Sequence, residues 1–142
     1  MTTTQSAVGT LFDARSEAIW TKDIERLMSL YSPDIVYFDL VPPLQYVGAD
    51  ALRDRFLEWF DSFESPIGQE ITDLNVVESG DAAIAHMLIR ASGILRNGQE
   101  VGFWVRATDG CQRSDGEWLI THEHISLPVD PMSRNAVMDI AP

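Results

Sequence analysis

The chain has little cysteine, few basic residues and no long apolar run, and each shortage excludes a class of protein. Cys111 is the only cysteine among 142 residues, so an intrachain disulfide is impossible, which fits a reducing cytoplasm. Ten lysines and arginines stand against 22 acidic residues, which gives a formal net charge of -12. Nucleic acids and anionic membranes bind basic surfaces, so we expect neither as a partner.

The membrane classes are excluded in the same way. No apolar run approaches the ~20 residues that a membrane helix needs. Residues 1–5 lack the basic and apolar segments of a signal peptide, so we expect a cytoplasmic protein without one.

Apolar and aromatic residues are plentiful. They make up 45% of the chain, with four tryptophans and six phenylalanines, which is enough to build a core and to disfavour disorder. The simplest organisation is one domain over residues 1–142 that ends in a C-terminal tail, residues 129–142, ordered by packing on a partner.

The apolar pattern predicts three helices and then a run of strands. Helical spacing predicts helices over 5–20 and 50–63, and a short helix capped by Asp23 lies between them. A short strand ending at Asp39 precedes the third helix. Alternation and turn signals then predict strands at about 69–78, 82–94, 101–112 and 117–127. Helices followed by consecutive antiparallel strands indicate an α+β fold, in which a curved sheet around a helix leaves a pocket.

Asp39 is the first candidate for chemistry. Strand alternation places it on one face with Ile35 and Tyr37. In a dry pocket, low dielectric would raise the pKa of this carboxyl toward the range in which it takes and returns protons, as a general base does. The alternative is a strand-end carboxylate that caps the following loop, and the sequence leaves both open.

The last predicted strand carries two histidines. Alternation puts His122 and His124 on one face with Ile120, about 7 Å apart. They are predicted to be a proton-transfer pair or hydrogen-bond donors in the pocket. The alternative is one histidine satisfied in the core and one at a dimer surface. Zinc needs a further protein ligand and none shares this register, so we expect no metal site.

Two arginines lie among apolar neighbours. Trp104, Arg106 and Thr108 share a face of the strand 101–112, and Arg15 lies on the apolar stripe of the first helix. A buried arginine needs a partner. For Arg106 that partner is Asp39, Glu123 or an anionic substrate group, or the arginine belongs to a structural salt bridge. Arg15 poses the same question unless its side chain snorkels to solvent.

Several of these segments resemble a known family. The step from Asp39 to Gly48 before the third helix, and the ending Trp118…His122-Glu123-His124…Ser126…Pro128, resemble the SnoaL-like branch of the ketosteroid isomerase-like, or NTF2-like, proteins. The resemblance covers nearly the whole chain. It implies a cone-shaped fold with three N-terminal helices packed on a curved, mostly antiparallel sheet that encloses a pocket.

The resemblance also assigns individual positions. It places the isomerase general base on Asp39 and the oxyanion tyrosine on Arg15. The second oxyanion acid falls near Thr108, with Asp109 one position off and expected to point away. The chain therefore has the general base of these isomerases but lacks the two hydrogen-bond donors that stabilise their enolate. This argues against authentic ketosteroid isomerase activity.

The resemblance implies a cofactor-independent isomerase or lyase, similar to ketosteroid isomerases, dehydratases or polyketide cyclases, acting on a small apolar or aromatic carbonyl compound. Asp39 would be the base, His124 its proton partner, and Arg106 or Arg15 would orient an oxygen. The other expected substrate contacts are Tyr37, Trp59, Phe63, Trp104, Thr108 and His122. A non-catalytic ligand-binding or dimeric assembly domain is the alternative. Large apolar groups on both strand faces predict a homodimer through the outer face of the sheet.

Overall fold

The chain forms the three predicted helices, and two strands stand between the second and the third. The computed structural model describes residues 6–142, so the predicted helix start at residue 5 and the segment 1–5 lie outside the described residues. The helices are α1 (Ala7–Trp20), α2 (Ile24–Met28) and α3 (Ala49–Asp61). Side chains start the first two, because Ser6 accepts a hydrogen bond from the Gly9 amide and Asp23 accepts one from the Arg26 amide.

All six strands belong to one sheet. Its strands are β1 (Tyr31–Phe38), β2 (Tyr46–Val47), β3 (Gly68–Ser79), β4 (Ala82–Ile94), β5 (Glu100–Ser114) and β6 (Glu117–Ser126). The spatial order is β2-β1-β6-β5-β4-β3, and in the described part of the chain only β1 and β6 run parallel. The α+β prediction with a mostly antiparallel sheet is confirmed.

The core lies between α3 and the concave face of the sheet. The inner side of α3 buries Leu52, Phe56 and Phe60. The Phe56 ring stands edge-on to Tyr37 at 5.7 Å between centroids, and tilted to Tyr31 at 5.6 Å. Aromatic pairs at such distances add to the stabilisation from apolar burial. The helix therefore covers part of the concave face and leaves a cavity beside it.

A β-bulge in β6 decides which of its side chains face that cavity. Gly110 of β5 pairs with His122 and Cys111 pairs with Ile120, so Thr121 is an extra residue. The Thr121 hydroxyl donates to the Gly110 carbonyl at 3.2 Å. Ile120 points inward before the bulge and Glu123 points inward after it, so simple alternation is wrong for this strand.

The chain beyond β6 turns back on itself. A bridge joins Val129 to Ala136, and the Val137 amide donates to the Pro128 carbonyl at 2.8 Å. Met132 stands 91% exposed at the tip of this turn. Among the described residues, no helix is long and apolar enough to cross a membrane.

Candidate active site

A cavity of about 190 Å³ lies between the helices and the concave face of the sheet. Its polar lining residues are Arg15, Tyr37, Asp39, Arg55, Gln69 and Ser92. Its apolar lining residues are Leu40, Val41, Phe56, Trp59, Phe63, Ile67, Ala91, Val101, Phe103, Val105 and Ile125. An apolar cavity of about 150 Å³ is known to hold benzene, so this space suits a single-ring compound.

Asp39, the residue just after β1, lies in this lining, as the predicted alternation with Ile35 and Tyr37 indicated. Its Oδ2 accepts a hydrogen bond from Arg55 Nε at 2.8 Å, and its Oδ1 accepts one from the Leu40 amide at 2.6 Å. The Asp39 side chain is 7% exposed and that of Arg55 is 18% exposed. The carboxylate is thus held between α3 and the loop after β1.

Arg55 is a site residue that the sequence analysis missed. It lies four residues before Trp59 on α3, which places both side chains on the same helical face. Trp59 and Phe63 were expected to reach the cavity, and both line it. The spacing of four residues between Arg55 and Trp59 could therefore have predicted that Arg55 lines the cavity too.

Arg15 is buried within the protein and does not snorkel. Its side chain is 5% exposed, and Nη2 lies 2.7 Å from Glu123 Oε2. Arg15 Nε donates to the Tyr31 hydroxyl at 2.9 Å, and that hydroxyl donates to Glu123 Oε1 at 2.7 Å. Burial lowers the pKa of Arg15, but Glu123 and its other neighbours outweigh burial and raise that pKa well above its usual value. The guanidinium therefore stays charged.

One part of this guanidinium is directed to the cavity. Arg15 Nη1 donates to Gln69 Oε1 at 3.3 Å, and both residues line the cavity wall. A guanidinium carries five N–H groups, more than these contacts use. Arg15 therefore presents a charged donor to a ligand oxygen while Glu123 compensates its charge.

Asp109 points inward, which corrects the expectation that it points away. It is 1% exposed, and its Oδ2 has no hydrogen-bond partner among the described residues. Burial, followed by the charge of Glu123, raises the pKa of Asp109 well above its usual value, so the neutral acid is favoured. Because the pKa of Asp109 is higher in the folded than in the unfolded protein, the folded state binds this proton more tightly. The resulting stabilisation is complete below the unfolded pKa of about 3.9 and is lost as pH rises through the folded pKa.

Tyr37 brings a second donor to the cavity. Its side chain is 2% exposed, and its hydroxyl forms no hydrogen bond with any residue between 6 and 142. Burial, followed by the charge of Glu123, raises the pKa of Tyr37 well above its usual value. The phenol therefore keeps its proton and has a hydroxyl that is free to donate to a ligand in the cavity.

The two histidines of β6 lie on the outer face of the sheet, so the prediction that they serve the pocket is wrong. The bulge at Thr121 reverses the alternation before them. His124 is exposed, and its ring packs edge-on against Phe38 at 5.2 Å. His122 Nδ1 lies 2.7 Å from the Val36 carbonyl.

The predicted contacts on β5 are wrong for a different reason. Trp104, Arg106 and Thr108 do share a face, but that face is the outer one, and Phe103 and Val105 line the cavity instead. Arg106 is exposed, and its Nε donates to the Ser126 hydroxyl at 3.1 Å, so it has neither Asp39 nor Glu123 as partner.

Neither a cysteine nucleophile nor a metal site is found in the described part of the chain. Cys111 is buried, and burial raises the pKa of its thiol to about 12, so the unreactive thiol form is kept. Within residues 6–142, no group of three or more histidine, cysteine or acidic side chains is placed to hold a metal ion.

Comparisons with known proteins concern the family and the fold. The profile of the SnoaL-like domain matches residues 8–130. An NTF2-like protein of unknown function from Pseudomonas putida KT2440 is 30% identical with a TM-score of 0.87, and the match covers 95% of this chain and 94% of that one. No curated protein matches the sequence.

Two further solved structures share the fold at lower identity. A proposed dehydratase of the NTF2-like family from Streptomyces avermitilis is 21% identical with a TM-score of 0.78, covering 87% of this chain and 96% of that one. A proposed scytalone dehydratase from Novosphingobium aromaticivorans is 15% identical with a TM-score of 0.76, covering 84% and 80%. At these identities the likeness concerns the fold alone.

Proposed function

Because the chain belongs to the SnoaL-like family, we propose that it is a cofactor-independent isomerase or lyase acting on a small, largely apolar carbonyl compound. One observation carries the proposal: the unpartnered hydroxyl of Tyr37 on β1 and the carboxylate of Asp39, the residue just after β1, line the same apolar cavity. A ligand between them meets a base on one side and a proton donor on the other.

The proposed chemistry begins with Asp39. Its carboxylate takes a proton from the carbon next to the carbonyl, and the electron pair moves to the carbonyl oxygen. If the same carboxyl returns the proton to another carbon, the result is isomerisation. If instead the electron pair returns from the oxygen to form a carbon–carbon double bond, a hydroxyl group on the β-carbon leaves with the proton now held by Asp39, and the result is elimination of water. Two of the similar structures are named as proposed dehydratases, which supports the second outcome.

Arg15 and Tyr37 would stabilise the oxygen on which charge develops. Donors that are fixed before the reaction stabilise such an oxygen more than mobile water does. Arg15 is fixed by Glu123 and Tyr31, and Tyr37 is fixed by Phe56. Since Glu123 already compensates the charge of Arg15, the site has no free positive charge for an anionic ligand. It therefore favours a neutral carbonyl compound, whose oxygen becomes negative only during the reaction.

The test uses a β,γ-unsaturated cyclohexenone, a single-ring ketone with acidic hydrogens. We expect the protein to speed both deuterium uptake next to the carbonyl in heavy water and conversion to the conjugated isomer, followed by NMR. Deuterium uptake reports proton removal even when the natural product is unknown. Binding of this ketone with neither exchange nor conversion would contradict the proposal.

A ligand-binding role without catalysis is the second candidate. Both oxygens of Asp39 already accept hydrogen bonds, from Arg55 and from the Leu40 amide, which favours a structural carboxylate. On this interpretation a small apolar or aromatic ligand binds and leaves unchanged. The exchange experiment separates the two, because a ligand that is only bound takes up no deuterium.

We also propose a homodimer through the outer face of the sheet, in the cytoplasm. Ile84 is 54% exposed there, Leu88 lies on the same face of β4, and Trp104 of β5 lies further along that face, opposite Arg90. We expect Trp104→Glu to shift the protein to a 15.9 kDa monomer in sedimentation velocity, because it places a charge in an apolar contact. Leu44→Glu is the control, since Leu44 is 96% exposed in the loop before β2. A wild-type monomer at micromolar concentration would rule the dimer out.

A further inference from the structure

Arg55 contacts Asp39 with only one part of its guanidinium. Its Nε donates to Asp39 Oδ2 at 2.8 Å, and neither of its Nη groups has a hydrogen-bond acceptor within residues 6–142. Neither Nη atom is closed off from open space, and Arg55 lines the cavity. Since a guanidinium carries five N–H groups, those of the two Nη atoms are free to bind a ligand.

The polar groups of the cavity wall follow one another in an order. Arg55 is in direct contact with Asp39. Burial and Glu123 account for most of the raised pKa of Tyr37, and Arg15 and Asp39 also contribute to it, whereas Arg55 does not. Tyr37 therefore lies between Arg15 and Asp39, and Arg55 lies on the far side of Asp39. A ligand along this wall meets donors, then the carboxylate, then donors again.

Asp39 keeps the capacity to act as a base between these donors. Its two oxygens accept one hydrogen bond each, from the Leu40 amide and from Arg55. A carboxylate has about four lone-pair positions, so about half of them remain for a substrate proton. The two contacts thus hold the carboxylate in place without occupying it fully.

Proton transfer to Asp39 changes the charge that Arg55 presents. Before the reaction the two charges compensate each other, which suits a neutral ligand in an apolar cavity. Once Asp39 has taken a proton, the positive charge of Arg55 is no longer compensated. Arg55 then stabilises a nearby oxygen that becomes negative, and such an interaction is stronger in the transition state than in the ground state.

We propose that Arg55 binds the leaving oxygen of the substrate, so that the substrate is a small-ring β-hydroxy ketone and the reaction is loss of water. This inference rests on the function proposed above and narrows it to elimination. The carbonyl oxygen lies at Arg15 and Tyr37, the carbon next to the carbonyl lies at Asp39, and the β-hydroxyl lies at Arg55.

The proposed reaction returns the pair to its starting state. The C–H bond next to the carbonyl breaks and its proton passes to Asp39. The electron pair then forms the carbon–carbon double bond, the β-carbon–oxygen bond breaks, and the departing oxygen takes the proton from Asp39 to form water. Asp39 is again a carboxylate beside the charged Arg55, and no other reactant is needed.

The probe is 3-hydroxycyclohexanone, whose loss of water gives a conjugated cyclohexenone that is followed by ultraviolet absorbance. Deuterium exchange of the β,γ-unsaturated cyclohexenone, which has no hydroxyl, is measured beside it. We expect Arg55→Met to lower the elimination rate at least about tenfold more than the exchange rate, because only elimination uses the lost charge-assisted hydrogen bond.

A second variant keeps the test valid if Arg55→Met does not fold. Arg55→Lys retains a positive charge beside Asp39, but on a single nitrogen that the carboxylate already engages. We expect it, too, to lose more of the elimination rate than of the exchange rate. A thermal melt of each protein shows whether it is folded.

Arg53→Met is the matched control. Arg53 is also on α3, but it pairs with the exposed Glu25 at 2.7 Å and is not part of the cavity lining, so neither rate should change. Equal losses of both rates in the Arg55 variants would show that Arg55 only positions Asp39, which overturns the inference.

The wild-type protein separates this inference from the function on which it rests. A wild type that exchanges and isomerises the cyclohexenone but leaves 3-hydroxycyclohexanone intact would overturn the inference, and the isomerase function would stand. A wild type that acts on neither compound would overturn the proposed function together with the inference.

Discussion

Replacing Glu123 by alanine is expected to lower the free energy of unfolding by about 3–5 kcal/mol, because it leaves a buried positive charge without its partner. The Arg15 and Glu123 side chains are 5% and 1% exposed, and their nearest charged atoms are 2.7 Å apart. Tyr31 also loses an acceptor for its hydroxyl. Urea denaturation followed by tryptophan fluorescence measures the loss.

This loss should depend on pH because a second acid lies beside the pair. Burial and Glu123 together raise the pKa of Asp109. Removing Glu123 removes one of these causes, so Asp109 ionises at lower pH in the variant and then compensates Arg15. The difference from wild type should therefore shrink as pH rises through the range in which Asp109 ionises in the variant. In Glu123→Ala/Asp109→Asn the difference should stay large.

The matched control is Glu117→Ala, which removes an exposed acid from the same strand. Such a surface change usually alters stability by less than about 0.5 kcal/mol. A Glu123→Ala protein as stable as the Glu117→Ala protein would show that the Arg15–Glu123 pair contributes nothing to the fold.

Asp39→Asn is expected to reduce the deuterium exchange of the cyclohexenone by about 10²–10⁴-fold, the usual contribution of a positioned base. The amide keeps an oxygen for Arg55 Nε but has no carboxylate to accept the substrate's proton. Folding should survive, because the asparagine has nearly the same size. Initial rates by NMR, together with a thermal melt of each protein, give the two readouts.

Asp54→Asn is the control for this substitution. Asp54 is also on α3 but is exposed, so the same chemical change there should leave the exchange rate unaltered. An Asp39→Asn protein that exchanges at the wild-type rate would remove the base from the proposed mechanism. Equal loss in both variants would point to the charge of the protein and not to Asp39.

The fold was predictable because its signals are local and repeated. The predicted helix over 5–20 agrees with α1 from its N-cap residue Ser6 onward, and the 50–63 prediction matches α3 closely because Leu52, Phe56 and Phe60 recur at helical spacing. Turn signals placed the four long strands within a few residues. Asp39 was placed correctly because β1 alternates regularly over Ile35, Tyr37 and Asp39.

The cavity lining on β5 could not be read so directly. Both faces of this strand carry large apolar side chains, with Trp104 on one and Phe103 and Val105 on the other. The polar side chains of Arg106 and Thr108 are compatible with a face turned to solvent. An arginine that binds a substrate inside the pocket would explain the same pattern equally well. Asp109 was misplaced by the same choice of face, because it alternates with Val105 and Ala107 on the side of β5 that proved to be the inner one. Its raised pKa, due first to burial and then to Glu123, has no sequence pattern of its own.

One extra residue in β6 has a consequence for comparing this chain with its relatives. In a strand, odd and even positions belong to opposite faces, and Thr121 exchanges that parity halfway along. An alignment that passes through Thr121 without a gap, against a relative that lacks the bulge, matches His124 to a residue of that relative's interior. Gain or loss of a single codon at this point therefore exchanges the inward and outward sets of side chains without any substitution.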